Sequence, residues 1–380
     1  MNLRALFKAI VLSTAFLALS AHSAKAEDYI STQAYVHAFN NDITVVTGVF
    51  ALNKDISLET SAYFKYTIDS INPSFLDADA QSGASTASSA PSSPSDTRNE
   101  LMAGVRHEFP GLFGFEFYYD YSREKDYASD TPTLSLKKDL FGKNTTISLG
   151  YSRNMDKVSG QYLLKTEDRT TNNYFIGLTQ VFTPVLVGQI GYSRSASSGQ
   201  MSEGIRLVPL GSVAPSTCIA VSPTCVPEKL PDTKTRHAYL MGFNYYIAEG
   251  LYGLLDRSAV KPKLRYYTDD WGIKSYTFEV EFDKYVTDSD ILTLTARVYD
   301  QTRASFYDRQ YSGTEEFLSA SPQHLDFGTQ LYGIKWKHDF GAGVFPGLFE
   351  KLAIEAKYEM YQETTVIDAN IFMLGIRATM

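Results

Sequence analysis

The chain has 380 residues, 44% of them hydrophobic, with 35 Lys and Arg against 43 Asp and Glu, a formal charge of −8. That acidic balance argues against nucleic acid as a partner, and no stretch is apolar for the 18 or more residues that a membrane helix needs. A wall of alternating strands is not excluded, because apolar and polar positions average out along it, and 26 Tyr with 23 Phe supply rings for two membrane interfaces.

At the start of the chain, Arg4 and Lys8 lead into the apolar run Ala9 to Leu19, followed by Ala24-Lys25-Ala26. This is the charged, apolar and small-x-small order of a secretory signal, and its run is too short for a spanning helix, which takes roughly 20 residues. Residues 1–26 are therefore expected to be a signal peptide cleaved after Ala26, and 27–380 a single exported domain. Loss of Arg4, Lys8 and Lys25 leaves 32 basic against 43 acidic residues, a charge of −11.

From there on, side chains alternate. A strand sends successive side chains to opposite faces, and the two-residue period predicts strands at 29–38, 43–52, 56–68, 98–109, 114–123, 131–140, 145–155, 171–182, 186–195, 236–247, 259–268, 273–285, 291–302, 325–339, 351–362 and 369–380, sixteen in all. Tyr276, Phe278, Val280 and Phe282 oppose Ser275, Thr277, Glu279, Glu281 and Asp283. Phe115, Phe117, Tyr119 and Tyr121 oppose Glu116, Tyr118, Asp120 and Ser122. Strands 29–38 and 43–52 have no clean polar face, and 131–140 carries Lys138 on its apolar side. The lengths suit a tilted crossing of a bilayer, roughly 9 to 11 residues.

The links alternate too. Short ones at 52–55, 110–113, 141–144, 183–185, 248–250 and 286–290 interleave with long ones near 70–97, 156–170, 196–235 and 303–324, the pattern of short periplasmic turns and longer extracellular loops. The stretch 81–95 is Ser/Ala/Pro-rich, too poor in apolar residues to fold, and reads as an exposed loop. Cys218 and Cys225, in PSTCIAVSPTCVP, predict a local disulfide in an exported chain. The expected fold is all-β: a transmembrane antiparallel barrel of about 16 strands in a Gram-negative outer membrane, the lipid bilayer its surroundings.

Four phrases, DTRNELMAGVRHEF (96–109), KNTTISLGYSRNMD (143–156), PDTKTRHAYLMGFNYYI (231–247) and LRYYTDDWGIKSYTFEVEF (264–282), resemble a Gram-negative family catalogued as domain of unknown function 3570. The resemblance implies an outer-membrane barrel without an assigned activity, and supplies no catalytic residue.

If the apolar faces meet lipid, the opposite faces line a lumen. They carry Glu59, Lys65, Glu100, Arg106, Glu108, Glu116, Asp120, Lys261, Lys263, Arg265, Glu279, Glu281, Asp283, Arg297, Lys335, Lys337, Glu355, Lys357, Glu359 and Arg377. Unpaired charge in a dry interior is very costly, so the lumen is wet or laced with pairs such as Glu281 or Glu355 with Lys263 or Lys337. Sixteen strands are wide enough for an aqueous channel, and the leading expectation is passive or weakly selective passage of small solutes. A scaffold for a periplasmic or extracellular partner is the second. An enzyme is the third and is not expected: His324 and His237 sit near the outer rim, but no HExxH, GxSxG, phosphate loop or CxxC marks a nucleophile or metal. The turn Asp269-Asp270-Trp271-Gly272 reads as a tight hairpin with its indole at the membrane interface, and no cofactor is expected.

Overall fold

The computed structural model describes residues 28–40, 43–73, 97–214, 218–250, 253, 255–341, 349–365 and 367–380. The expected signal peptide and the Ser/Ala/Pro-rich stretch lie outside them. Along the chain run β1 (Tyr29–Phe39), β2 (Ile43–Asp55), β3 (Thr60–Pro73), β4 (Thr97–Phe109), β5 (Phe113–Arg123), β6 (Tyr127–Leu140), β7 (Thr145–Val158), β8 (Glu167–Thr183), β9 (Leu186–Gly199), β10 (Leu207–Pro209), β11 (Cys225–Pro227), β12 (Thr233–Ile247), β13 (Ser258–Asp269), β14 (Lys274–Tyr285), β15 (Asp290–Gln301), β16 (Phe327–Asp339), β17 (Lys351–Glu363) and β18 (Asp368–Thr379). All but β10 and β11 form one closed antiparallel barrel in which each strand pairs with its neighbours in sequence. β1 closes the ring on β18, from Tyr29 opposite Thr379 to Phe39 opposite Ala369.

The barrel contains every strand that the two-residue period predicts. Most run further than expected toward the long loops, so the links 156–170 and 196–235 shrink to the residues between β7 and β8 and between β9 and β12. Glu59 is corrected by this geometry: it occupies the turn between β2 and β3, where its carbonyl accepts the Glu108 amide at 2.8 Å, and it is not on a strand. Lys138, the cation on an apolar face, sits close enough to a short turn for its ammonium to reach the Gly111 carbonyl at 2.7 Å. The stem stays with the apolar face while the head leaves it.

The outward face is an apolar band, with Phe117, Tyr276, Phe278, Leu294, Ile334 and Phe372 among its exposed side chains. Ring polarity marks its two edges. The hydroxyls of Tyr66, Tyr119, Tyr151 and Tyr358 donate to Asn99 (2.7 Å), Asp130 (2.7 Å), Asn172 (3.0 Å) and Asn370 (2.7 Å), each two positions nearer the long-loop end of the adjoining strand. The Trp336 indole points the other way and donates to Asp290 at 2.9 Å. Tyr and Trp with apolar bodies and polar tips aimed away from the band's middle are what two water interfaces demand. Tyr192, Tyr239, Tyr266 and Tyr276 lie side by side across four strands, with ring centroids 5.2, 6.1 and 4.9 Å apart.

Candidate functional site

Inward positions follow from register. Lys261, Lys263 and Arg265 on β13 stand opposite Glu281, Glu279 and Thr277 on β14, and Glu279 in turn stands opposite Arg297 on β15. Bonding is diagonal as well as direct: Lys263 Nζ reaches Glu279 at 2.9 Å and Glu281 at 3.0 Å, while Lys261 bonds Asp283. Elsewhere on the wall, Lys65 meets Glu100 at 3.5 Å, Arg106 meets Glu116 at 3.0 Å, and Lys357 meets Glu359 at 2.8 Å. Three partners unforeseen in the sequence join them. Arg98 bridges Asp69 and Glu100, both at 3.0 Å, and Lys137 holds Glu108 at 2.6 Å. Alternation alone put Arg98, Asp69 and Lys137 on this face, so the signal was available.

The lumen is wet. Side chains of Arg106, Lys65 and Lys263 keep 48%, 38% and 36% of their accessible surface, which spares them the desolvation cost of a dry core. On β7, β8 and β9 the inward face changes character, with Ser148, Ser152, Asn173, Ser193 and Ser195 around Gly150, Gly177 and Gly191. Phe175 projects among those glycines: a Cβ built on Gly177 would meet its ring at 2.8 Å and one on Gly191 at 3.2 Å.

Pairing leaves a remainder. Among the described residues, Arg265, Arg297, Lys335 and Lys337 have no carboxylate within 4.0 Å. Lys337 and Glu355 are opposite in register but do not form the ion pair expected of them. Arg265 stacks over Tyr267 at 5.5 Å, and Arg377, expected on this wall, stacks over Tyr29 at 4.0 Å. Of the acids expected on this wall, Asp120 and Glu355 have no cation within that distance.

Above the lumen, the segments that follow β10 and β11 pair with the segment between β15 and β16 to form a folded cap. Leu210 bridges Tyr311, Lys229 bridges Leu318, and Val208, Tyr311 and Leu318 form a small buried cluster. Cys218 and Cys225 are joined by the expected disulfide beside it. Trp271 belongs to this cap. It is only 6% exposed, its indole donates to the Thr233 carbonyl at 2.8 Å, Lys234 lies 4.0 Å over its ring, and Phe306 and His324 each approach it at 5.3 Å edge to face. The expected interface position is thus corrected: the cap covers the hairpin. Asp269 accepts from Lys234 (3.0 Å), Tyr267 (2.7 Å) and the Ile273 amide (2.9 Å), and Asp270 from the Thr235 amide (2.9 Å). Gly272, at φ +90, makes the turn possible.

The rim histidines are occupied. His237 Nδ1 meets the Tyr192 hydroxyl at 2.8 Å. His324 is buried with its Nδ1 2.6 Å from Ser319 Oγ, and Ser319 Oγ is also 2.6 Å from Glu228. In a nucleophile relay the carboxylate orients the imidazole. Here it meets the serine instead, and Ser319 is 1% exposed, so the trio serves to tie two segments of the cap. Burial, reinforced by Lys234, Arg206 and Arg236, pushes the His324 imidazole down to about 3. Among the described residues, no three His, Cys, Asp or Glu side chains converge as a metal site.

The sequence matches a family model described as "Protein of unknown function (DUF3570)" over residues 5–163 and 154–375. No curated protein matches. A solved bacterial polysaccharide outer membrane secretin aligns over 94% of this chain and 100% of its own, at 8% identity and a TM-score of 0.50. OmpT, an outer membrane protein of Vibrio cholerae, aligns over 95% and 100% at 9% identity with a TM-score of 0.44. OccK5 (OpdH) of Pseudomonas aeruginosa aligns over 93% and 97% at 10% identity with a TM-score of 0.42. At such identities the likeness is one of fold, the outer-membrane β-barrel.

Proposed function

The chain belongs to the DUF3570 family of unknown function, and from the geometry of this member we propose that it is a pore, passing small polar solutes passively and with weak selectivity through the barrel lumen. The observation that carries the reading is the charged, solvent-accessible inner wall. A closed ring of sixteen strands is of the size at which barrels hold an aqueous channel, and ion pairs that stay solvent-accessible leave water between them. Charged side chains on such a wall bias which ions cross.

The reading places the protein in the outer membrane of a Gram-negative cell, exported by the leader at 1–26. The cap then faces the medium and the short turns face the periplasm. Purified, refolded protein in a planar bilayer tests it: stepwise conductance is expected, and a heat-modifiable barrel that inserts without conducting would sink the proposal.

A further inference from the structure

Just below the cap, the lumen wall departs from its own pattern. Phe39, Phe327, Leu331, Tyr361 and Ile371 project inward around Arg297 and line a cavity of about 320 Å³. Pro322 and Gln323 close one side of it from the cap segment, and Gln301 anchors that segment by donating to the Gln323 carbonyl at 3.0 Å. This apolar patch continues onto β2, where Phe39 packs against buried Ile43 and Val45. An aqueous wall has no use for such a patch.

Arg297 is the cation of this cavity. It has no carboxylate within 4.0 Å and donates no hydrogen bond to any described residue. The acid that shares the cavity, Glu363, is already engaged, one oxygen accepting from the Tyr361 hydroxyl at 2.8 Å and the other from Thr365. A half-buried guanidinium offers five donors in a planar fork suited to a carboxylate. Rings and branched aliphatic chains around it suit an apolar body. Below it, Lys335 and Lys337 continue the unpaired cations down the adjoining strand β16.

We propose that this cavity is a binding site for small organic acids, a single carboxylate on Arg297 and an aromatic or aliphatic body on the surrounding apolar side chains. The proposal deepens the pore reading and rests on it only for the direction of travel: a site at the outer mouth that selects what enters the lumen. Its size fits a ligand of the bulk of a substituted benzoate, and the cations beneath would receive the anion when it leaves.

The test uses benzoate and its uncharged analogue benzyl alcohol on the refolded full barrel in detergent, with binding followed by equilibrium dialysis and folding checked by heat-modifiable migration. Saturable benzoate binding is expected, weakened about tenfold or more by Arg297→Gln, as loss of a charge-assisted hydrogen bond implies, and unchanged by Arg265→Gln. Benzyl alcohol should bind at least about tenfold more weakly, on the same ground. Wild-type protein that binds no benzoate, binding that survives Arg297→Gln, or equal binding of benzyl alcohol would each overturn the site. Conductance of the same preparations separates the two readings. A conducting barrel that ignores benzoate keeps the pore and loses the site, and a binding barrel that never conducts does the reverse.

Discussion

Arg297 and Glu279 stand directly opposite one another on β15 and β14, yet they do not pair, because Lys263 on the far side holds Glu279 at 2.9 Å and Glu281 at 3.0 Å together. The orphan cation of the mouth is thus a product of its neighbour's bonding. Lys263→Met releases Glu279, which is then free to swing across to Arg297, while Glu281 keeps Lys261 at 4.0 Å. Benzoate affinity should fall nearly as far as in Arg297→Gln although no residue of the cavity has changed. Affinity equal to wild type would show that Lys263 does not govern Arg297.

Phe175 projects into the lumen where Gly150, Gly177 and Gly191 leave room beside it. A Cβ on Gly177 would meet the ring at 2.8 Å, and the neighbour that must give way is the far end of a side chain able to rotate. Gly177→Val should push the ring toward the pore axis and lower unit conductance, whereas Phe175→Ala should raise it. Single-channel recording of both variants checks the pair, and conductances shifted the same way would contradict it.

Trp271 closes the cap's aromatic cluster. Trp271→Ala removes a nearly buried ring and leaves Lys234 without the surface it covers, a loss on the order of 3 to 5 kcal/mol for a well-packed site. The cost should fall on the cap alone. Hydrogen exchange is expected to speed up between β9 and β12 and between β15 and β16, while β3 to β8 keep wild-type protection and heat-modifiable migration stays intact.

The cap should also respond to acid. His324, neutral in the closed cap with its imidazole pushed down to about 3, has an ordinary value near 6.5 once exposed. Between these values the open cap takes up a proton that the closed cap refuses, so closure is at full strength above about pH 6.5 and weakens as pH falls toward 3. Limited proteolysis of the cap at pH 7, 5 and 4 should show rising cleavage, and His324→Asn, whose amide keeps a donor for Ser319 Oγ while Ser319 donates to Glu228, should flatten that dependence.

Why the wall was legible and the cap was not follows from range. A strand's two faces are written in adjacent residues, so Tyr276 to Phe282 declare an apolar face without any knowledge of their neighbours. Strands 29–38 and 43–52 looked irregular for a physical reason: Phe39, Ile43 and Val45 turn apolar side chains inward around the mouth, where a polar face was expected. The cap depends on pairs such as Glu228 with Ser319, 91 positions apart, in segments with no period. Which lumen cations remain unpaired was equally hidden, since Lys263 binds both directly and diagonally and the choice exists only once register is set.

At the seam where β1 meets β18, the Met380 amide donates to the Asp28 carbonyl at 2.8 Å. The ring consequently has no privileged first strand. A permuted gene that joins these two positions with a short linker and opens the chain in the turn between β14 and β15 would encode the same circle read from another point. Should that permutant fold, the order in which strands leave the ribosome is not what specifies their neighbours.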